Sequence, residues 1–433
     1  MPELCIESLD HEGQGVARLA GKTVFVEGAL AGEIVEARIT RSKGSYDRAV
    51  AEHVIRRSPL RVEPRCKHFG VCGGCSMQHV DPLAQIAVKQ RVLEDNLARI
   101  GNVRAEQILP PIIGPAWGYR TRARLSVRHV PKKGGVLVGF HERRSSYVTD
   151  MQFCHVLPAA IAALLMPLRE LVSTLSVRDR VPQIEYAQGD GPAVLVLRHL
   201  EPLGETDRQR LRAFGERHGI QWWLQPRGPD SAHPLLDTPL PSYRLHEFGV
   251  QHVFSPTEFT QVNPAINEVL VRRAVGLLAL RPTDRVGDLF CGLGNFTLPI
   301  ARTAAFVLGI EGADSLVRRA RAGANAHGLG ERCRFEAANL FELAEDWFSR
   351  LPQLDKLLID PPRDGAIEVV KRLPRASASR VERIVYVSCN PATLARDAAV
   401  LVHDRGYRLR AAGIANMFPH TAHVESMALF TRD

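Results

Sequence analysis

The period of the apolar positions changes along the chain, and the changes divide it. Near the N-terminus the apolar residues alternate, as in Lys22-Thr23-Val24-Phe25-Val26 and Glu33-Ile34-Val35-Glu36-Ala37-Arg38-Ile39, which is the period of half-buried strands. Gly13-Gln14-Gly15 and Gly28-Ala29-Leu30-Ala31-Gly32 lie around them and read as turns. A small β-barrel is therefore predicted over 1–57. A Pro-containing linker follows at 58–64. Ile86, Leu93 and Leu97 fall near one face of a predicted amphipathic helix over 81–100, ended by Gly101. From there to 258 the runs are mostly strand-like, with one helix predicted over 158–175. After Asn267 helical stretches alternate with short apolar runs at 286–290, 306–310, 334–337, 356–359 and 384–387. That alternation predicts a doubly wound parallel α/β sheet. Two last runs, near 407–413 and 426–430, predict a hairpin at its edge.

Charge adds a partner class. The 433 residues carry 56 Lys plus Arg against 47 Asp plus Glu, a net +9, which favours an anionic partner. Between Trp117 and Arg144 there are eight basic residues and one acid, Glu142. In the strand pattern Thr121–Arg128, Arg122, Arg124 and Arg128 point away from the apolar face, a row of guanidinium groups suited to a phosphate backbone. The N-terminus lacks the apolar core of a secretory signal, and no run is long enough to span a membrane. A cytoplasmic protein without membrane contact, monomeric and with reduced thiols, is expected.

Chemistry collects where the predicted strands end, the edge at which open α/β sheets bind ligands. Asp288-Leu-Phe290-Cys-Gly292-Leu-Gly294-Asn295-Phe-Thr297 follows the first strand. Its glycines allow close approach to the backbone, but Thr297 holds the third position of a dinucleotide fingerprint, which argues against a nicotinamide enzyme. Glu311 ends the second strand, where an acid can hold ribose hydroxyls. Asn339 follows the third and Asp360-Pro-Pro-Arg363 the fourth. Cys389, in Ser388-Cys389-Asn390-Pro391, ends the fifth. Separately, Cys66, Cys72 and Cys75 crowd a glycine-rich loop, with Cys154 a candidate fourth thiolate. Four thiolates suit a [4Fe–4S] cluster. Spacing alone also leaves zinc or unrelated free thiols open.

Taken in order, Asp-Leu-Phe-Cys-Gly-Leu-Gly-Asn-Phe-Thr, Ile-Asp-Pro-Pro-Arg and Tyr-Val-Ser-Cys-Asn-Pro resemble the RNA uracil-C5 methyltransferase family. Phe254-Ser-Pro-Thr-Glu-Phe-Thr-Gln261-Val-Asn263 and His423-Val-Glu425-Ser match it too. The N-terminal pattern Gly-Gln-Gly-Val-Ala-Arg resembles a TRAM domain, a small RNA-binding barrel. The resemblance implies a Rossmann-like class I methyltransferase domain over 259–433. It also implies a mostly β central iron–sulfur domain over 58–258 and the TRAM barrel over 1–57. A helix near 89–110 would pack on the catalytic domain. It implies S-adenosylmethionine as methyl donor, held by Gln261, Phe290, Asn295, Glu311, Asn339 and Asp360. Cys389 would be the nucleophile and Glu425 the base. Cys66, Cys72, Cys75 and Cys154 would hold a [4Fe–4S] cluster. The expected substrate is one uridine of 23S ribosomal RNA, free or partly assembled, because transfer RNA enzymes of the family generally lack both barrel and cysteines. The alternatives are transfer RNA, another ribosomal site, or a non-catalytic iron–sulfur RNA-binding protein.

Overall fold

In the computed structural model, which describes residues 1–432, residues 3–56 form a six-stranded, rolled antiparallel and parallel sheet. Its alternating residues Leu4, Ala17, Val24, Val26, Val35, Ala37 and Ala49 close a separate apolar core. The linker is fastened rather than loose. Buried Glu33 accepts from the Arg61 guanidinium at 2.6 and 2.7 Å and from Leu30 N–H at 2.8 Å. Together these bonds hold its carboxyl below the usual carboxylate range, although burial acts the other way.

The second sheet orders its strands His233–Pro234, Ile220–Gln225, Ala193–Arg198, Gln183–Ala187, Arg122–Val130 and Gly135–Gly139. The alternation at 122–128 is present, with Ala123, Leu125 and Val127 buried. The row of arginines is kept in part, with Arg124 and Arg128 exposed and Arg122 drawn inward. Arg122 donates to Pro256 O at 2.9 Å, Arg124 pairs with Glu185 at 3.2 Å, and Arg128 stands exposed. Burial of Arg122 makes its bond to a carbonyl necessary, whereas the exposed Arg124 pair is worth little against water.

The third sheet has eight strands in the order Cys333–Ala337, Phe306–Glu311, Arg285–Leu289, Lys356–Ile359, Arg383–Ser388, Glu425–Thr431, Arg408–Ala415 and Gln107–Ile108. The first five are parallel, and the apolar runs of the inner four are buried on both faces. The order reverses at Arg285–Leu289, whose neighbours run outward in opposite directions, and this creates the crevice at the carboxyl ends. The last two strands pair as the expected hairpin at this end of the sheet, with only a two-residue strand beyond them. Glu425–Thr431 lies inside, antiparallel to both neighbours, and residues 107–108 cover Arg408–Ala415.

The helix runs Pro82–Arg99, with Asp81 capping Leu83 and Ala84 N–H groups. It ends well before residue 110, and the chain beyond it extends to become that outermost strand. Its apolar face, Leu93 and Leu97, packs into the core of the third sheet beside Leu394 and Ala395. No helix among the described residues is long and apolar enough to cross a membrane.

Candidate active site

One cavity of about 790 Å³ opens between the second and third sheets, within the ordinary range for a small-molecule site. Gln261, Phe290, Asn295, Glu311, Asn339, Asp360, Cys389 and Glu425 all line it, and so do Cys66, Cys72, Cys75 and Cys154.

The first wall is built after Arg285–Leu289. Phe290 leaves the strand at a φ of 63°, followed by Gly292 at 55° and Gly294 at 86°. Left-handed backbone at a phenylalanine costs about 1–3 kcal/mol and is held only by its surroundings. Here Cys291 N–H donates to Ile310 O at 3.0 Å and Gly292 N–H to a Glu311 carboxylate oxygen at 3.1 Å. The other Glu311 oxygen accepts from Ala313 N–H at 3.1 Å. Each oxygen keeps a lone pair for a ligand hydroxyl. Nothing lies within 4 Å of where a Gly292 Cβ would stand, so a ligand can reach its backbone.

Asn295 is oriented by two residues that the sequence did not single out. Its carboxamide oxygen accepts from Tyr243 O–H at 2.9 Å, and it exchanges two 3.0 Å bonds with the Asn267 amide. Phe290 and Phe341 rings lie 5.6 Å apart, and Asn339 Oδ1 accepts from Phe341 N–H at 3.0 Å. Gln261 precedes Val262, whose carbonyl accepts from Thr121 N–H at 2.9 Å. That bond ties its segment to the second sheet.

The second wall carries the thiol. Arg383–Ser388 ends at Cys389, and Asn390 then caps the helix Pro391–Ala399 through Ala392 N–H. Asn390 Nδ2 and Thr393 O–H also donate to Arg363 O at 3.1 and 3.2 Å. These bonds join the turn after Cys389 to the turn after Asp360. Arg363 in turn meets the His423 ring at 3.4 Å, a contact that closes this wall.

The electrostatics oppose additional negative charge. Burial raises Asp360 to about 7. Burial, then the Asp360 charge, raises Glu425 to about 8. Cys389 is pushed up to about 11 by burial first, then by Glu425 and Asp360, with Arg363 acting the other way. In the ligand-free protein, Cys389 is thus less ionised than an ordinary cysteine at neutral pH.

The far end of the cavity holds Cys66, Cys72, Cys75 and Cys154, none in a disulfide. Burial pushes Cys75 to about 12 and Cys154 to about 11, and raises Cys72. Neighbouring thiolates in the group add to each rise. Among the described residues no three His, Cys, Asp or Glu side chains are placed to hold a metal ion. The donor chemistry nevertheless fits a polynuclear cluster. A cubane spreads its four thiolates over four corners, whereas zinc gathers them within ~2.3 Å of one point. Buried thiols that raise one another are also those that a cationic centre would ionise.

Comparison with known proteins adds the following. The tRNA (Uracil-5-)-methyltransferase family matches residues 85–433, and a TRAM domain matches 3–51. The 23S rRNA (uracil(1939)-C(5))-methyltransferase of Aromatoleum aromaticum is 61% identical, with 100% of both chains covered. The proteins of the same name from Thiobacillus denitrificans and Chromobacterium violaceum are 60% and 56% identical, covering 100% and 99% of this chain and 100% and 84% of theirs. Among solved structures, Pyrococcus abyssi tRNA (uracil-54, C5)-methyltransferase in complex with S-adenosyl-L-homocysteine superposes with a TM-score of 0.75 at 24% identity. It covers 99% of this chain and 100% of its own. That match shares the whole fold, N-terminal barrel included, in a protein named for transfer RNA.

Proposed function

The chain belongs to the RNA uracil-5-methyltransferase family, and from that premise we propose that its substrate is 23S ribosomal RNA, at the uridine equivalent to 1939 in its relatives' names. The reaction is methyl transfer from S-adenosylmethionine to uracil C5. The observation that carries the choice of RNA is full-length identity near 60% to enzymes named for that uridine.

The roles of the side chains follow from uracil chemistry. C5 is a weak nucleophile until a thiolate adds at C6 and leaves an enolate. Cys389 is the group placed to add. Its thiol is held mostly protonated in the ligand-free site, so ionisation has to be coupled to ligand binding. S-adenosylmethionine supplies an electrophilic methyl on a cationic sulfur, and a positive charge in this cavity favours the ionised thiol. The Arg363 guanidinium acts in the same direction. Glu311 accepts the ribose hydroxyls, and Gly292 leaves room beside its backbone. Phe290, Gln261, Asn295 and Asn339 line the remainder of the donor's place, and Asp360 bridges it to the uracil side.

After methylation, C5 still carries its proton. Glu425 removes it, the C5–H electrons restore the double bond and the Cys389–C6 bond breaks. A carboxyl raised to about 8 is a stronger base once ionised than an ordinary carboxylate. General-base help of this kind is worth ~10²–10⁴ in rate. The target base must leave its stack to reach the cavity.

Cys66, Cys72, Cys75 and Cys154 would hold a [4Fe–4S] cluster, which would cross-link their loops. The protein is proposed to act as a cytoplasmic monomer. Deleting the gene in its host and mapping 5-methyluridine in both RNA classes tests the substrate. Loss from 23S ribosomal RNA alone is expected. Loss from transfer RNA with ribosomal RNA unchanged overturns the assignment.

A further inference from the structure

Residues 416–424 join the last two strands, and Phe418, Thr421 and His423 among them line the cavity. The ladder fixes the backbone of Glu425 opposite Ala415. Residues 416–424 lead directly into the strand Glu425–Thr431, so whatever fastens them bears on where its first residue, Glu425, is held.

That segment is fastened by one helix and by residues outside it: Tyr119 O–H donates to Pro419 O at 3.1 Å, and Ala422 N–H to Ser76 Oγ at 3.0 Å. Lys89 of Pro82–Arg99 is 1% exposed. Its amino group, lowered to about 7 by burial, donates to Asn416 Oδ1 at 2.7 Å and to Phe418 O at 2.9 Å, both neutral acceptors. One turn earlier, Gln85 accepts from His420 N–H at 2.9 Å and donates to Met77 O and Val80 O at 3.0 and 2.9 Å. The His420 carbonyl accepts from Ser76 and Met77 N–H groups, both at 2.9 Å. Its ring stacks on Trp117 at 3.7 Å. His420 itself sits at a φ of 65°, a conformation that a non-glycine residue keeps only when its surroundings impose it.

A lysine buried against neutral oxygens is an expensive way to fill a core position. A leucine or methionine would pack on the same helix face without the desolvation cost. What the amino group adds is two directed bonds into the one segment that precedes Glu425. We propose that Lys89, supported by Gln85, is a positioning residue for the elimination step: it fixes residues 416–424 and through them the carboxylate of Glu425. The inference rests on the reading of Glu425 as the base.

The test is single-turnover kinetics on a 23S RNA transcript spanning the uridine, following formation and resolution of the covalent RNA–protein species. Lys89→Met keeps length and removes both bonds, and Asn416→Leu removes one of them from the other side. Both should leave adduct formation and S-adenosylhomocysteine binding unchanged and slow resolution, by ~10–100-fold for Lys89→Met, the scale set by small displacements of a catalytic group. The double variant should be no slower than Lys89→Met alone, since both remove one contact. If Lys89→Met does not fold, Asn416→Leu carries the test. Resolution at the wild-type rate in the folded variants, or equal slowing of both steps, overturns the proposal. Glu425→Gln in the same assay separates the two readings. If it accumulates adduct and the clamp variants do not, only this inference fails. If it does not, the assignment of the base fails, and the inference with it.

Discussion

Cys389 and Glu425 stand opposite each other, one step beyond the last registered pair, Ser388 with Ser426, of two antiparallel strands. Ser426 O–H donates to Ser388 O at 3.2 Å across that pair. The thiol and the carboxyl thus leave the same sheet edge from adjacent strands. They are 36 residues apart in sequence, yet little backbone freedom separates them. An addition and an elimination on neighbouring carbons, C6 and C5, need two groups at this kind of spacing.

Cys389→Ala should abolish methyl transfer and leave donor binding intact. Wild-type protein should form a stable adduct with RNA containing 5-fluorouridine, because fluorine does not leave as a proton does. The raised thiol also predicts a pH dependence. With its titration near 11, alkylation of Cys389 by iodoacetamide in the cofactor-free protein should rise by about tenfold per pH unit from 7 to 9, following the thiolate fraction. Peptide mapping by mass spectrometry reads this out. A plateau by pH 8 contradicts the buried environment described above.

Glu425→Gln should methylate its RNA and then stall as a methylated covalent complex, visible by denaturing gel. A stall before methylation assigns the base elsewhere. Stability supplies an independent check. The Glu425 carboxyl is raised from 4.5 to about 8 in the folded protein, so between those values the folded state binds more protons than the unfolded one. Stability therefore falls as pH rises through that window. Glutamine does not ionise, so the variant should melt higher than wild type at pH 8, by a margin that shrinks towards pH 5.

Glu311→Ala should weaken S-adenosylmethionine binding by ~10–100-fold, the range of one or two hydrogen bonds to a charged group. It also frees Gly292 and Ala313 N–H groups that now bind the carboxylate, so part of the loss would come from loosening the turn. Titration calorimetry measures it. An unchanged affinity places the ribose elsewhere.

Protein purified without oxygen should be brown and contain about four irons, the cubane stoichiometry. Cys154→Ser should lose iron and lower the melting temperature, since in the proposed ligand set Cys154 would be the one ligand from outside the Cys66–Cys75 loop. Stoichiometric zinc without iron would sink the cluster assignment.

Local pattern carried much of this. The period of two at 22–39 and the alternating helices and strands after Asn267 announced the barrel and the parallel sheet, because burial of one face or both is written into residue spacing. The strand-end residues Glu311, Asn339, Asp360 and Cys389 were legible for the same reason: strands of one parallel sheet end at one edge, so the last residue of each points at the same crevice.

Other features depended on which segments met. Arg122 reads as a free cation along the strand, but Pro256 O happens to lie beside it. Tyr243 and Asn267 orient Asn295 from different segments, and nothing local marks them. Lys89 looks like an ordinary polar helix position until 416–424 folds over it. By itself the sequence determined the elements and the class of sheet, since these follow from the period of neighbouring residues, while the resemblance of its motifs supplied the candidates Cys389 and Glu425. Only the tertiary structure decided that Glu425–Thr431 inserts beside Arg383–Ser388, which sets Glu425 against Cys389, and that the buried Lys89 side chain bonds the segment leading into it. Strand insertion and long-range hydrogen bonds are set by the packing of surfaces far apart in the chain, and no local spacing encodes that competition.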